Sequence, residues 1–227
     1  MALKIIPIRA GAAHVFLVIQ EENFFLVDAG GRGYANKVAK AITSLGLQLS
    51  DLKFIFLTHT HYDHAGCAAK LKKMSGTKII VHESEAVFLR NGDQYVPAGT
   101  DTLAKFISGL GRLLGKAYSG YPQIEPDIIF SDSLSLESFG FEAKIISTPG
   151  HTVGSSSLVI DNVVFAGDTL FNILGKVFPP FANDTNLLLK SWELLLKENV
   201  DWYYPAHGKR ISKSVVQKEF DKRNFKK

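Results

Sequence analysis

Residues 58–66 read THTHYDHAG, which places His59, His61, Asp63 and His64 within six positions. The chain has seven histidines, and three of them fall in this stretch. Imidazole nitrogen combined with carboxylate oxygen suits zinc, iron or manganese better than calcium, which is held by oxygen. The cluster follows the apolar run Phe54-Ile55-Phe56-Leu57. If that run is a buried strand opening into a loop at His59, side chains two apart share a face, and His59 and His61 reach one ion together. Asp63 and His64 come where the chain turns into Ala65-Gly66-Cys67-Ala68-Ala69, a small-residue stretch that reads as a helix start. They can therefore face a second ion across that corner. A lone histidine at a strand end is ordinarily a hydrogen-bonded polar residue, but this density of ligands argues for metal.

Strands and helices must carry these groups to one place. Residues 15–19 and 24–27 are apolar runs joined by Gln20, Glu21, Glu22 and Asn23, a hairpin pattern that ends at Asp28-Ala29-Gly30-Gly31. Residues 158–160 and 163–165 flank Asp161-Asn162, a two-residue hairpin signal. The stretches LVIQEENFFLVDAG and LVIDNVVFAGD echo one another, a weak internal repeat that predicts two β-rich halves, each covered by helices. Ala35, Val38, Ala39, Ile42 and Leu45 recur at helical spacing, with Gly46 as the stop. Residues 78–81 read as a short strand. Residues 187–197 read as a helix capped by Asn183 or Asp184, residues 202–205 as a strand leading to His207, and a last helix lies around 212–222. Asp101 caps a helix whose Leu103, Phe106, Ile107, Leu110, Leu113 and Leu114 form one apolar stripe, with Lys105, Arg112 and Lys116 outside it. Gly109, Gly111 and Gly115 weaken that helix by about 1 kcal/mol each. The stripe suits a mobile lid over the site, a helix covering a sheet, or a homodimer interface.

A chain of 227 residues with 46% hydrophobic content can form one α/β domain over residues 1–227. No stretch is long and apolar enough to span a bilayer. The first residues are interrupted by Lys4, Pro7 and Arg9 and lack the order of a signal peptide, so they read as the first strands of a cytoplasmic protein with no membrane partner. Cys67 is the single cysteine, which excludes an internal disulfide; it reads as a small core residue rather than a reactive thiol or ligand. The formal charge of +4 is modest, and its clearest local excess is the tail with Lys222, Arg223, Lys226 and Lys227. Without regular aromatic interleaving this reads as a solvated tail, not a nucleic-acid surface.

The pattern H-x-H-x-D-H after an apolar strand resembles the signature of the metallo-β-lactamase-fold hydrolases, in particular their glyoxalase II-like and lactonase-like branch. Thr148-Pro149-Gly150-His151-Thr152 resembles that family's third-histidine motif, Phe165-Ala166-Gly167-Asp168-Thr169 its bridging aspartate, and Pro205-Ala206-His207-Gly208 its last histidine. The resemblance implies a four-layer αβ/βα sandwich, two mixed β-sheets flanked by helices, with the site at one edge. It implies that His59, His61 and His151 hold one ion, that Asp63, His64 and His207 hold the other, and that Asp168 bridges them. The cofactors would be two divalent ions, zinc foremost, with iron or manganese as alternatives. Asp28 matches the aspartate that supports the ligands from behind. His14 and His82 fall outside the motifs, His82 being the nearer rival for a ligand place.

The resemblance further implies hydrolysis of a small-molecule ester, thioester or lactone by a metal-bound hydroxide. Asp63 or Asp168 would pass the proton to the leaving group. Tyr203 or Tyr204, close to His207, either donates to the oxyanion or packs as a core aromatic. Asp168 stands where the antibiotic-degrading members carry cysteine, which ranks β-lactamase activity low. Glyoxalase II carries a glutathione-binding helical domain beyond the last histidine, whereas twenty residues follow His207 here. The extra domains of the nuclease branch are not evident. A reading from another reaction class is that of the persulfide dioxygenases, which use one iron, here on His59, His151 and Asp168.

Overall fold

The computed structural model describes residues 3–224. Twelve strands and eight α-helices follow one another among the described residues. The first half runs β1 (Lys4–Arg9), β2 (His14–Gln20), β3 (Asn23–Val27), α1 (Ala35–Thr43), β4 (Phe54–Phe56), α2 (Tyr62–Ala65), α3 (Ala68–Ser75), β5 (Lys78–His82), α4 (Glu83–Asn91), α5 (Thr102–Leu114), α6 (Lys116–Ser119) and β6 (Ile128–Phe130). The second runs β7 (Ser133–Ser135), β8 (Ala143–Ser147), β9 (Ser156–Ile160), β10 (Val163–Gly167), α7 (Thr185–Lys197), β11 (Trp202–Pro205), β12 (Ile211–Ser212) and α8 (Lys213–Asn224). Lys226 and Lys227 of the basic tail lie outside the described residues.

Each half makes one six-stranded mixed sheet, in the order β1-β2-β3-β4-β5-β6 and β12-β11-β10-β9-β8-β7. Strands β3 to β6 run parallel, as do β10 and β11, and hairpins supply the antiparallel pairs. Alternation along β2 shows why the strands read as unbroken apolar runs. Val15 and Leu17 pack outward with Val38 and Ile42 of α1 and Leu71 of α3, while Phe16 and Val18 point inward. The inward set meets Ile145, Leu158 and Phe165 of the other sheet, and that sheet's outer face packs under Leu188 and Trp192 of α7 and Val216 of α8. Helix, sheet, sheet, helix is thus the four-layer sandwich expected.

The first hairpin turns at Glu21-Glu22 alone, because Gln20 and Asn23 already pair. Helix α1 ends before Leu45, which is 43% exposed and no part of the buried stripe. The helix after the motif begins earlier than Ala65: His61 caps α2, so Asp63 and His64 sit within its single turn. Asp101 does cap α5, its carboxylate accepting from the Ala104 N–H at 2.9 Å. The stripe, however, does not cover a sheet. The inward face of α5 is Ala104, Ser108 and Gly111, while Leu103, Phe106 and Leu113 are 69%, 72% and 83% exposed. Small residues let α5 lie close to Val96 and Tyr118, and this close approach turns its larger side chains outward. No helix among the described residues is long and apolar enough to cross a membrane.

Candidate metal centre

The site lies where the carboxyl ends of the central strands meet. The fully buried β4 delivers Thr58 to His61, β10 delivers Asp168, and β11 delivers His207. The loop between β8 and β9 delivers His151. The two sheets are tied at this edge, since the Ser156 N–H donates to the Thr58 carbonyl at 2.9 Å. Gly167 permits the same closeness. Its φ is +51°, and a Cβ there would lie 2.5 Å from Thr58 Oγ1.

All seven residues expected from the sequence come together. His59, His61 and His151 present ring nitrogens to a common point, and so do Asp63, His64 and His207 with their nitrogens and carboxylate. His61 Nδ1 lies 3.1 Å from His151 Nε2. His207 Nε2 is 3.3 Å from Asp63 Oδ2. Asp168 stands between the sets, with Oδ1 3.4 Å from both His64 Nε2 and His207 Nε2 and Oδ2 3.6 Å from His151 Nε2. The rings of His59 and His64 are 3.9 Å apart, so the two sets share one cavity.

The backs of the rings are held. Asp28 Oδ2 accepts from His64 Nδ1 at 2.8 Å. The other Asp28 oxygen accepts the Thr58 N–H at 2.8 Å and the Thr58 hydroxyl at 3.0 Å. Because that hydroxyl donates to Asp28, it receives the His59 Nδ1 proton at 3.1 Å. His151 Nδ1 donates to the Phe181 carbonyl at 2.8 Å and His207 Nδ1 to the Ala12 carbonyl at 3.2 Å. These bonds put the ring protons on the far nitrogens of His59, His64, His151 and His207, turning each Nε2 inward.

Charge is divided between the halves. Burial, then the neighbouring imidazoles, hold His59 well below the ordinary range, and burial with His151 pushes His61 down to about 3. Burial also lowers His151 against the pull of Asp168. For His64 burial is outweighed by Asp28, Asp168 and Asp63, which raise it well above its usual value; Asp168 and Asp63 likewise outweigh burial at His207 and raise it to about 10. Burial opposes ionisation of Asp63, but His64 and His207 overcome it and bring the carboxyl to about 2.

Residues 8–207 match the model of the metallo-beta-lactamase superfamily. The chain belongs to that superfamily. A probable metallo-hydrolase of Methanocaldococcus jannaschii is 28% identical over 204 residues, covering 87% of this chain and 88% of its own. The hydroxyacylglutathione hydrolase GloC of Haemophilus influenzae is 30% identical, over 75% of this chain and 73% of its own. Among solved structures, a metallo-beta-lactamase family protein of Thermus thermophilus superposes with a TM-score of 0.71 at 21% identity, covering 98% of this chain and 79% of that one. The superfamily fold implies a metal-dependent hydrolase that binds divalent ions.

The residues of this chain fit such ions. The buried side-chain polar atoms without a hydrogen-bond partner among the described residues are His59 Nε2, His61 Nε2, His64 Nε2, Asp168 Oδ1 and, elsewhere, Tyr121 Oη. Orphaned buried polar atoms are costly, and three of these five belong to one candidate metal group, His59, His64 and Asp168. Two ligands about 2.0–2.2 Å from a tetrahedral ion stand roughly 3.3–3.6 Å apart, close to the separations seen here.

Other candidates fall away. His82 caps α4, its Nδ1 accepting from the Ser84 N–H at 3.1 Å, and His14 bonds the Ala206 carbonyl at 3.1 Å. Tyr203 is buried and donates to the Leu195 carbonyl at 2.9 Å, while Tyr204 packs on Phe16 and Phe165. Cys67 is buried with its thiol on the Gly31 carbonyl, and burial raises its pKa. Sequence reasoning missed Thr58, Thr60, Glu85 and Thr152, the polar shell behind the candidate ligands. It also missed the apolar wall of Val96, Pro97, Phe171 and Phe181 that lines the 180 Å³ cavity over the site. Larger clefts of 420 and 520 Å³ lie elsewhere and hold none of the seven candidate ligands.

Proposed function

We propose that this protein is a dinuclear hydrolase, zinc-dependent, of small uncharged esters, thioesters or lactones. The observation that carries the reading is the set of inward nitrogen and carboxylate atoms in two adjoining groups, sharing Asp168, at the floor of an apolar cavity. His59, His61 and His151 would hold one ion and Asp63, His64 and His207 the other, with Asp168 facing both. Two ions so held would supply a water of lowered pKa and would polarise the substrate's carbonyl.

The chain's own residues do the rest. Val96, Pro97, Ile107, Phe171 and Phe181 line the cavity with Tyr62, Tyr118 and five of the candidate ligands, and among the described residues no lysine or arginine does. These walls exclude water and take an uncharged acyl group. A volume of 180 Å³ is below that of drug-sized ligand sites, which favours a small one. Asp63 and Asp168 both line this cavity, and either can carry a proton on a carboxylate oxygen to the departing oxygen or sulfur. The relative GloC, named as a hydroxyacylglutathione hydrolase, supports the thioester option. Support for the second ion comes from Asp28, whose bond to His64 orients a ring that a one-iron dioxygenase site would leave unused.

Elemental analysis of the purified protein tests the reading, followed by turnover of a lactone and thioester panel. Two zinc or manganese ions per chain and hydrolysis of a neutral short-chain substrate are expected. One iron per chain, with oxygen-dependent persulfide oxidation, would replace the hydrolase by the dioxygenase. His61→Ala should lose metal and activity while keeping the circular dichroism of the wild type; full activity in that variant contradicts the assignment.

A further inference from the structure

We propose that Glu85 is a positioning residue that binds the His59/His61 loop to the His151 loop and thereby sets the geometry of the histidine-rich half of the site. The inference rests on the reading that those three histidines hold a metal. Glu85 lies in the first turn of α4, where an acidic residue ordinarily faces solvent and complements the helix dipole. Here it is fully buried, and none of the ion pairs among the described residues involves it.

Its two oxygens serve different loops. Oε2 accepts the Thr60 N–H at 2.9 Å and the Thr60 hydroxyl at 2.6 Å. Thr60 is the residue between His59 and His61. Oε1 accepts the Thr152 hydroxyl at 2.8 Å and the Gly154 N–H at 3.2 Å, and Thr152 follows His151 directly. The Gln94 amide closes the bracket from the far side, donating to both oxygens at 3.2 and 3.0 Å. Burying a carboxylate without a cation is expensive, and hydrogen-bond donors on every side are what make it tolerable. A leucine would fill the space more cheaply but could not join two polar loops that come from different sheets. The carboxylate therefore acts as a staple between the chain segments that carry three of the ligands, without touching metal or substrate.

A neutral isostere exposes the role. Glutamine offers one acceptor oxygen and one amino group, so Glu85→Gln turns an N–H toward the backbone N–H of either Thr60 or Gly154 and releases that loop. The full chain loaded with cobalt(II) reads the outcome through its visible absorption, which reports ligand geometry, and chelator competition reads zinc affinity. Glu85→Gln is expected to shift the cobalt bands and to weaken zinc binding by about 10- to 100-fold, as loss of outer-shell partners does elsewhere. Thr60→Val and Thr152→Val each remove one hydroxyl clamp without changing the bulk of the side chain, and each should shift the same bands. They decide the matter if Glu85→Gln does not fold. Unchanged bands and unchanged zinc affinity in the variants, with only a lower melting temperature, would overturn the positioning role and leave Glu85 a stabilising residue. A wild-type protein that takes up neither cobalt nor zinc would overturn this inference and the proposed hydrolase together, so the two failures are told apart.

Discussion

Asp28 shows how much one carboxylate can do when its backbone is unusual. It adopts φ +64°, a conformation that asparagine shares with little strain. One oxygen receives His64 and the other receives both donors of Thr58, so His64 and, through Thr58, His59 are oriented by a single side chain. Asp28→Asn keeps the shape but replaces one acceptor with an amino group, which must then face the His64 Nδ1 proton or the Thr58 N–H. The expected result is folded protein with zinc affinity weaker by about 10- to 100-fold, measured by competition with a chromophoric chelator. Unaltered affinity would show that His64 is oriented by packing alone. The contrast with Glu85 explains which residues could be read from the sequence. The candidate ligands are legible because four of them crowd into one local motif and the others sit in short recognisable ones. Glu85 was not, because its partners lie 25 and 67 residues away and an acid at a helix start looks like ordinary surface chemistry.

At the scale of elements, the position of His151 depends on how tightly α7 docks. The Asp184 N–H donates to the Gly150 carbonyl at 2.9 Å and the Asn183 N–H to the His151 carbonyl at 3.1 Å, so the start of α7 is built onto this loop. Gly150 has φ +135°, and a Cβ there would meet the Leu188 Cα and N at 2.4 Å. These are backbone atoms that cannot swing aside. Gly150→Ala should therefore push α7 from the loop, costing roughly 1–3 kcal/mol as overpacking does, and lower the melting temperature by about 2–4 °C per kcal/mol for a chain of this size. Zinc affinity should fall with it, because His151 moves; differential scanning fluorimetry with and without zinc measures both. A melting temperature equal to the wild type's would contradict the close docking. Helix α5 teaches the complementary lesson. Its periodicity announced an apolar stripe correctly, but periodicity cannot say what lies against a stripe. Ala104, Ser108 and Gly111, which look unremarkable in the sequence, make the inward contact, and of the stripe it is Ile107 that lines the cavity.

For the whole molecule, the charge division across the site couples folding, protons and metal. In the metal-free protein His61, depressed to about 3 chiefly by burial, refuses a proton that the unfolded chain accepts near 6.5, so stability erodes as pH falls from about 6.5 toward 3. Asp63 deepens this loss at the acid end. Its stabilising contribution is complete above the usual carboxylate value of 3.8 and disappears as pH falls through about 2. His207 has the opposite sign: burial is outweighed by Asp168 and Asp63, its pKa rises to about 10, and its contribution is complete below 6.5 and lost as pH rises through 10. The chelator-treated protein should accordingly melt highest near neutrality and lower on both sides. Zinc changes the alkaline side. A ligand nitrogen must be unprotonated, and in the metal-free protein the neighbouring carboxylates raise His64 and His207, so protons would compete with a second ion held there. The melting-temperature gain on adding saturating zinc should therefore grow from pH 6 to pH 9. A gain that stays flat or shrinks over that range would mean that His64 and His207 do not serve as ligands, and that the metal is held by His59, His61 and His151 without them.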